Sequence, residues 1–389
     1  MSLEFGVFDH IEQQPGIPLG QLYAERLVLL EALDRAGFFC YHLAEHHTPA
    51  VHSMAPSQNV FLAAASQRTS RLRFGPGVYV LPLHHPLRLI EEVCMLDHLA
   101  DGRLEIGVGR GGVLEAYFWG QDSDDESNQA RYDETLAILT KGLSHDALTH
   151  EGRFWNFETV PMRLRPKQAP HPPLWYMRNP EVAAKGGMNC IVVGSLDTFE
   201  ANVVRYRRLW DHYNGTGALT LQGTEPKIGL VVHVIVAPTD EEAVEAAKPA
   251  WKAYTWNLGT PRRLEAERRK LTQFLGRADS GEAVARPVRH LALEERRDLD
   301  QALSELTEQE RQLRDKRRRL PGEIAGGVMA GSPASIRAFM DEYAATGANY
   351  MVCSFQWGDL THEQAMQSIR LWSEEIMPHY RRPPSRKSA

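Results

Sequence analysis

The chain has few cysteines, no long apolar stretch and little excess charge. Its 389 residues include four cysteines, none of them in a close pair, which argues against a disulfide framework or a zinc site. No run approaches the roughly 20 apolar residues of a membrane helix, and the opening residues are too polar for a signal peptide. The net charge of -6 leaves no basic footprint for nucleic acid. We expect a soluble, cytoplasmic protein that binds neither nucleic acid nor a membrane.

What the sequence does contain is a regular alternation of two patterns. Short apolar, β-branched runs alternate with longer amphipathic stretches, which predicts a parallel sheet covered by helices. Eight such runs favour an α/β fold of the (β/α)8 TIM barrel type, with an open doubly wound sheet as the alternative. The runs lie at residues 3–8, 38–43, 72–81, 104–108, 173–177, 190–193, 227–236 and 350–354.

Three segments depart from this alternation. Residues 147–165 suggest a hairpin. Residues 260–325 form a charged insertion before the last βα unit, with leucines every seven residues at Leu299, Leu306, Leu313 and Leu320, typical of a helical arm with one apolar seam. This arm is either a lid, a dimer contact or a helix packed on the barrel. We expect the barrel to span residues 1–380 and residues 381–389 to be a disordered basic tail.

The second run ends in a cluster of histidines. In a (β/α)8 barrel the active site lies at the carboxyl ends of the strands, and here Glu45, His46 and His47 follow a strand that contains His42. Imidazole titrates near neutral pH, so these histidines suit proton transfer. A metal site and a structural role are the alternatives, although a metal would need ligands from other strand ends.

Glycine-rich segments follow the neighbouring runs. Gly75-Pro76-Gly77-Val78 interrupts the third run, which is typical of a close approach to a ligand or of a plain kink. Residues 107–112 let backbone N–H groups face an anion, and Arg110 and Arg131 add positive charge. Their spacing is not the dinucleotide fingerprint. After the fifth run, Arg178 and Asn179 suit a phosphate or a ring edge, or Asn179 simply caps a helix.

Taken together, these pieces resemble the bacterial luciferase family of flavin-dependent monooxygenases. The similarity covers the chain almost end to end, apart from the charged insertion, and its specificity lies in shared order and spacing. Its pieces are the opening strand at 3–8, Glu45-His46-His47, the block from Val80-Leu81-Pro82 through His85-Pro86-Leu87-Arg88 and Glu91-Glu92 to Leu96-Asp97, the stretch at 102–111, and Glu375-Ile376-Met377-Pro378.

The resemblance implies a barrel that binds reduced FMN and uses dioxygen to oxidise a small organic substrate such as an aldehyde or ketone. It implies that His46 and Glu45 are the catalytic residues, with His46 as the acid or base. It places Gly77 and Val78 at a non-prolyl cis peptide against the flavin ring. The cofactor-binding residues that it implies are Gly77, Val78, Gly109, Arg110, Gly111, Arg131, Arg178 and Asn179, with the phosphate held at Arg110 and Arg131.

One position departs from the family pattern. Bacterial luciferase has a reactive cysteine where this chain has Gly109, so we expect a relative that emits no light and has a wider cavity beside the ring. A separate reductase would supply the flavin, since no nicotinamide fingerprint is present, and family members commonly form homodimers. The alternatives are a coenzyme F420-dependent hydride-transfer enzyme, a flavin-binding protein without turnover, and a metal-dependent hydrolase using His42, His46 and His47.

Overall fold

The computed structural model describes residues 3–47, 52–121, 124–279, 323–325 and 327–381. The leucine stripe of the predicted arm and residues 382–389 of the predicted tail lie outside the described residues. Among the helices described, none is both long enough and apolar enough to cross a membrane.

Most of the described strands form a parallel barrel. The strands are β1 (Glu4–Asp9), β2 (Cys40–Leu43), β3 (Arg73–Pro76), β4 (Tyr79–Val80), β5 (Ile106–Gly109), β6 (Ala147–Glu151), β7 (Asn156–Pro161), β8 (Leu174–Met177), β9 (Asn189–Val193), β10 (Ile228–Val236), β11 (Glu323–Ala325), β12 (Val328–Gly331) and β13 (Tyr350–Ser354). Strands β6 and β7 form a separate antiparallel sheet, and β11 and β12 lie beside the barrel path. The order of the barrel strands is β3-β2-β1-β13-β10-β9-β8-β5-β4. Because β3 and β4 are two halves of one strand, interrupted at Gly77-Val78, this path closes on itself. The eight predicted strands and the closed barrel are confirmed.

Helices connect these strands and cover the outside of the barrel. They are α1 (Leu19–Ala36), α2 (Gln58–Arg68), α3 (Pro86–Leu99), α4 (Val113–Phe118), α5 (Asp125–Ser144), α6 (Pro180–Lys185), α7 (Leu196–Asn214), α8 (Asp240–Asp279), α9 (Pro333–Ala345), α10 (His362–Leu371) and α11 (Met377–Tyr380). Local sequence sets several ends. Gly37, at a φ of 79°, ends α1, and Pro86 occupies the first turn of α3.

Two features of the fold differ from the sequence prediction. Helix α8 (Asp240–Asp279) begins after β10 and continues into the charged segment 260–325, which was expected to be a separate insertion. Strand β12 was not predicted, and it pairs in parallel with the second half of β10. Its four residues contain too little periodicity to be recognised as a strand. The predicted hairpin is present as the antiparallel pair β6 and β7.

The barrel interior is filled by packed side chains. Phe8, Ala44, Trp175, Ile191, Val231, Tyr350 and Val352 form one buried cluster. Below it, Arg73 pairs with Glu105, and Trp175 Nε1 donates a hydrogen bond to Glu105 Oε2 at 2.5 Å. This filled interior leaves the carboxyl ends of the strands as the place for a site.

Candidate active site at the carboxyl end of the barrel

The carboxyl end of the barrel, called its mouth below, is lined by groups that follow three neighbouring strands. Glu45 and His46 follow β2, the Gly77-Val78 peptide separates β3 from β4, and Arg110 follows β5. Because β2, the β3–β4 strand and β5 are neighbours in the barrel, these positions adjoin along its rim. The structure therefore brings together the main groups that the sequence singled out.

Glu45 lies beneath this rim. Its buried carboxylate accepts hydrogen bonds from His47 Nε2 at 2.7 Å, His84 Nε2 at 3.0 Å and the Val80 backbone N–H at 3.1 Å. Burial by itself would raise the pKa of Glu45, but the two imidazoles outweigh it and lower the pKa to about 2. Glu45 is thus an ionised group that ties the end of β2 to the end of β4.

His46 is the member of this histidine segment that reaches the mouth. Its side chain is 30% exposed, and its Nδ1 lies 3.4 Å from Glu115 Oε1 on α4. The same oxygen accepts a hydrogen bond from the His47 backbone N–H at 3.3 Å. A carboxylate beside one ring nitrogen sets the tautomer and leaves the other nitrogen to exchange a proton. Sequence reasoning missed Glu115, whose only signal is its position in the first turn after the glycine-rich segment.

The Gly77-Val78 peptide bond is cis, in agreement with the resemblance. The Gly77 N–H donates to the Leu43 carbonyl at 2.6 Å, and Gln58 Nε2 donates to the Val78 carbonyl at 3.0 Å. A side chain at Gly77 has little room, because its Cβ would lie 3.0 Å from His42 Cβ. Gln58 was also missed, since a lone glutamine at the start of a helix has no motif of its own.

Glycines allow β3 and β5 to approach each other closely. A Cβ on Gly75 would overlap the Glu105 carbonyl oxygen, and a Cβ on Gly107 would overlap the Pro76 carbonyl oxygen. Backbone atoms cannot give way as side chains do, so only glycine fits here. These two glycines are therefore explained by strand packing, without an anion.

The next two glycines adjoin side chains of the neighbouring strand. A Cβ on Gly109 would overlap Val78 Cγ2, and one on Gly111 would overlap Val80 Cγ1. Gly111 also has a φ of +67°, which favours glycine. The expectation that Gly109 widens the cavity is wrong, because Val78 fills the space that a larger residue at 109 would use.

Arginines gather where β5 and α5 meet. Arg110 Nη1 lies 2.9 Å from Asp125 Oδ1. The guanidinium carbons of Arg131 and Arg153 lie 4.1 Å and 4.9 Å from the centre of the Phe154 ring. The Arg110 carbonyl accepts from Asn128 at 3.2 Å, and Arg153 Nη2 donates to Ser127 Oγ at 3.1 Å, so both arginines contact adjacent residues of α5.

Arg153 is a residue that the sequence did not single out. It stands at the tip of the β6–β7 hairpin, and this tip is fixed to α5 by Glu134, whose carboxylate accepts from the Phe154 and Trp155 backbone N–H groups. Only the folded hairpin reveals the position of this arginine, because no local motif connects it with Arg110 or Arg131.

Arg178 and Asn179 adjoin the mouth after β8. Arg178 has a φ of +79°, and its charge acts on Tyr254 of α8. The Asn179 side chain accepts hydrogen bonds from the Glu181 and Val182 backbone N–H groups at 3.0 Å and 3.4 Å. Asn179 therefore caps α6, as the alternative interpretation had it.

The histidines after β2 do not converge on a metal. His42 Nε2 faces Tyr350 Oη at 2.8 Å inside the barrel, while His47 is bound to Glu45. Across the part of the chain that the structure describes, no group of three or more His, Cys, Asp or Glu side chains is placed to hold a metal ion. The hydrolase that would use His42, His46 and His47 has no support in this geometry.

Further histidines and aromatic rings form the other side of the mouth. The His10 ring lies 5.7 Å from His46, 5.7 Å from His52 and 5.9 Å from Tyr254 between ring centres. The His233 ring lies 4.4 Å from Tyr254. Burial lowers the pKa of His52 to about 3 and of His233 to about 4. Burial and then the His46 charge also lower the pKa of His10, so the imidazoles of His10, His52 and His233 are uncharged at neutral pH.

One buried carboxyl group lies behind these rings. Glu12 accepts hydrogen bonds from the Gly358 N–H at 2.5 Å and from Asn257 Nδ2 at 3.1 Å. Burial raises its pKa to about 7, because these hydrogen bonds and the charge of Arg26 only partly offset desolvation. Two carboxyl groups at one barrel mouth, Glu12 and Glu45, are thus shifted in opposite directions.

The sequence is similar to known enzymes over most of its length. The family model of luciferase-like monooxygenases matches residues 3–350. The uncharacterized protein y4wF of Sinorhizobium fredii is 40% identical over 66% of this chain and 74% of its own. The oxygenase component of a flavin-dependent trigonelline monooxygenase from Acinetobacter baylyi is 30% identical over 63% of this chain and 68% of its own.

A solved structure shares the fold. The oxygenating constituent of 3,6-diketocamphane monooxygenase from Pseudomonas putida, solved in complex with FMN, superposes with a TM-score of 0.70 at 19% identity, covering 98% of this chain and 100% of its own. At that identity the similarity is evidence for the barrel fold alone. The family match covers far more than half of the sequence, and it includes the histidine segment, the cis peptide and Arg110. The chain belongs to the luciferase-like monooxygenase family.

Proposed function

We propose that the chain is the oxygenase component of a two-component monooxygenase, which receives reduced FMN from a separate reductase and oxidises a small, uncharged organic molecule of the aldehyde or ketone class. One observation carries this proposal. A proton-handling histidine, His46, and a cluster of guanidinium groups at Arg110, Arg131 and Arg153 stand on either side of the Gly77-Val78 segment at one barrel mouth.

The residues present fit a flavin mononucleotide. Arg110, Arg131 and Arg153 would hold a phosphate at one end. The smooth wall made by Gly77, Val78 and the glycines of β5 would lie against a flat ring. When bound, reduced flavin would supply the electrons with which dioxygen is activated. The name of the trigonelline relative, which specifies a flavin-dependent oxygenase component, supports the same cofactor class and a separate reductase.

The protein's own side chains would transfer a proton, exclude water and position the reacting groups. His46, held by Glu115, would give or take a proton at its free ring nitrogen. The aromatic and imidazole wall at His10, Tyr254 and Trp357 would exclude water from the reacting groups. Glu45 would act as a positioning residue, because its hydrogen bonds reach His47 and the backbone at Val80 but not the open mouth.

Cofactor titration tests this proposal against its nearest rival. The purified protein would be titrated with FMN, riboflavin and coenzyme F420, each followed by its own fluorescence. We expect FMN to bind more tightly than riboflavin, because only FMN offers a phosphate to the arginines. Tight binding of coenzyme F420 with no binding of FMN would contradict the oxygenase proposal and support the hydride-transfer enzyme.

Turnover tests the remaining rival, a flavin-binding protein without catalysis. The protein would be supplied with a bacterial NADH:FMN reductase, oxygen and a panel of cyclic and linear ketones and aldehydes. Product would be sought by mass spectrometry with ¹⁸O-labelled dioxygen, since a monooxygenase transfers one labelled atom. The test variant is His46→Asn, which retains a planar polar side chain but has no group that titrates near neutral pH; it should bind FMN but form less product.

A further inference from the structure

Val193 is an apolar residue that faces the inside of the barrel. It is the last residue of β9, in which Cys190 and Val192 belong to the main core and Ile191 belongs to the cluster inside the barrel. Because side chains alternate along a strand, Val193 faces inward like Ile191. Its neighbour in register on β10 is Val231, which belongs to the same inner cluster and supports this orientation.

The exposure of β9 changes abruptly between its two inward positions. Ile191 is 1% exposed, whereas Val193 is 50% exposed. The filled interior therefore ends between these two residues, and Val193 borders open space above it. The next residue is Gly194, and Gly327 lies so close that a Cβ on it would be 2.9 Å from the Gly194 carbonyl oxygen. Neither glycine has a side chain that could cover Val193.

The mouth is closed on one side and open on the other. Four rings close the side formed by β1, β10 and β13, and each is at most 8% exposed: His10, His233, Tyr254 and Trp357. On the side formed by β8 and β9, by contrast, both Arg178 and Val193 are exposed. Val193 is thus an uncovered apolar residue on the side from which a ligand can reach the interior.

Most of the width of the mouth separates Val193 from the Gly77-Val78 segment. From β4 the order of neighbours is β5, β8, β9, so the two positions lie three strands apart. Neighbouring strands lie about 4.8 Å apart, which in an eight-stranded barrel places such strands on the order of 14 Å from each other across the interior. A flat ring that lies against Gly77-Val78 fills only part of this width. The remaining space, on the side of Val193, is where a second molecule would meet the ring.

We propose that Val193 is a specificity-determining residue, which contacts the apolar part of the substrate and limits its size. This inference rests on the proposed function and adds the shape of the substrate: an uncharged ketone or aldehyde with a compact hydrocarbon body that lies against β9. Burial of that body stabilises the complex, and it orients the carbonyl group toward the flavin side. Met177, which packs against the inner cluster from the neighbouring strand β8, extends the same apolar wall.

A series of cyclic ketones tests the inference without knowledge of the natural substrate. Cyclopentanone, cyclohexanone, cycloheptanone and cyclooctanone differ by one methylene group at each step. The affinity of the FMN-loaded protein for each ketone would be measured by ligand-observed NMR, which needs no turnover. One methylene group in an apolar pocket changes binding by about tenfold or more, so we expect the wild type to have a definite optimum of ring size.

Three variants assign this optimum to Val193. Val193→Ala should raise the affinity for cyclooctanone relative to cyclopentanone by about tenfold, and Val193→Phe should lower the same ratio by about tenfold. Val193→Thr keeps the branched shape but adds a hydroxyl group, so it should weaken the binding of every ketone and leave the ratio unchanged. Val204→Phe, at a position on α7 that is 44% exposed, is the control and should behave as wild type.

Thermal unfolding checks that each variant is folded, and if Val193→Phe is not, the alanine and threonine variants decide the matter. Absence of binding by all four ketones up to their solubility, or an affinity ratio that is the same in wild type and Val193→Ala, would refute the inference. FMN titration of the same samples separates the two proposals. Wild type that fails to bind FMN contradicts the proposed function, whereas normal FMN binding with an unchanged ring-size preference in the variants contradicts only this inference.

Discussion

The Val78 side chain occupies the space that a side chain at Gly109 would need. A Cβ built on Gly109 overlaps Val78 Cγ2, so the end of β5 and the residue just before β4 are complementary in size. The relationship concerns the wall of the mouth, where both residues adjoin the expected ring site. The glycine at position 109 therefore compensates for the larger side chain of its neighbour Val78.

The first prediction follows from this pair. Gly109→Ala should destabilise the protein by ~1–3 kcal/mol, because an added methyl group overpacks a filled site. Adding Val78→Ala should recover part of that loss. Urea denaturation of the two single variants and the double variant measures the coupling. Additive losses, with no recovery in the double variant, would show that the two side chains do not compete for space.

The second prediction concerns Arg153. Its guanidinium shares the Phe154 ring with Arg131 and contacts Ser127 at 3.1 Å. Arg153→Ala should weaken FMN binding by about tenfold, as the loss of one charge-assisted contact does, and leave riboflavin binding unchanged. Arg163→Ala, at an exposed position beyond the same hairpin, serves as the control. An equal loss for both flavins would assign Arg153 to hairpin structure instead of phosphate binding.

The third prediction concerns acid stability through Glu45. Its pKa is lowered from 4.5 to about 2, so its stabilising contribution is present above pH 4.5 and is lost as the pH falls toward 2. Glu45→Gln should cost ~3 kcal/mol near neutral pH, because two imidazoles lose a buried carboxylate. The difference from wild type should shrink on acidification. Guanidinium denaturation at several pH values measures it, and a difference independent of pH would contradict this account.

The fourth prediction has the opposite sign and concerns Glu12. Its pKa is raised from 4.5 to about 7, so the folded state favours the neutral acid and the wild type loses stability as the pH rises from 4.5 to 7. Relative to wild type, Glu12→Gln should therefore gain stability over this range, by up to ~3 kcal/mol. The same denaturation series tests it. A Glu12→Gln difference that stays flat between pH 4.5 and 7 would mean that the carboxyl group titrates normally.

The barrel and part of the site could be predicted from the sequence. Each barrel strand is a short apolar run between amphipathic helices, a local pattern that survives in the fold, and the mouth positions follow because parallel strands share one carboxyl end. His46, Arg110 and the cis bond at Gly77 lay within recognisable motifs, and the structure places them at one rim.

The missing parts depend on contacts between distant segments. Glu45 lies within a recognisable motif. However, its contact with His84 and its depth below the rim depend on how the chain folds back after β4. Arg153 and His233 have no motif at all, because one depends on where a hairpin docks and the other on which aromatic rings surround it. No local pattern encodes such long-range packing.

The most direct test of the oxygenase account is the reoxidation of reduced FMN. Anaerobic protein loaded with reduced FMN would be mixed with oxygenated buffer in a stopped-flow instrument, and both the return of oxidised flavin absorbance and the release of hydrogen peroxide would be followed. The account predicts that the protein delays both by at least about tenfold relative to free reduced FMN, a barrier difference of ~1.4 kcal/mol or more. Reoxidation and peroxide release at the rate of free flavin, with reduced FMN demonstrably bound, would contradict it.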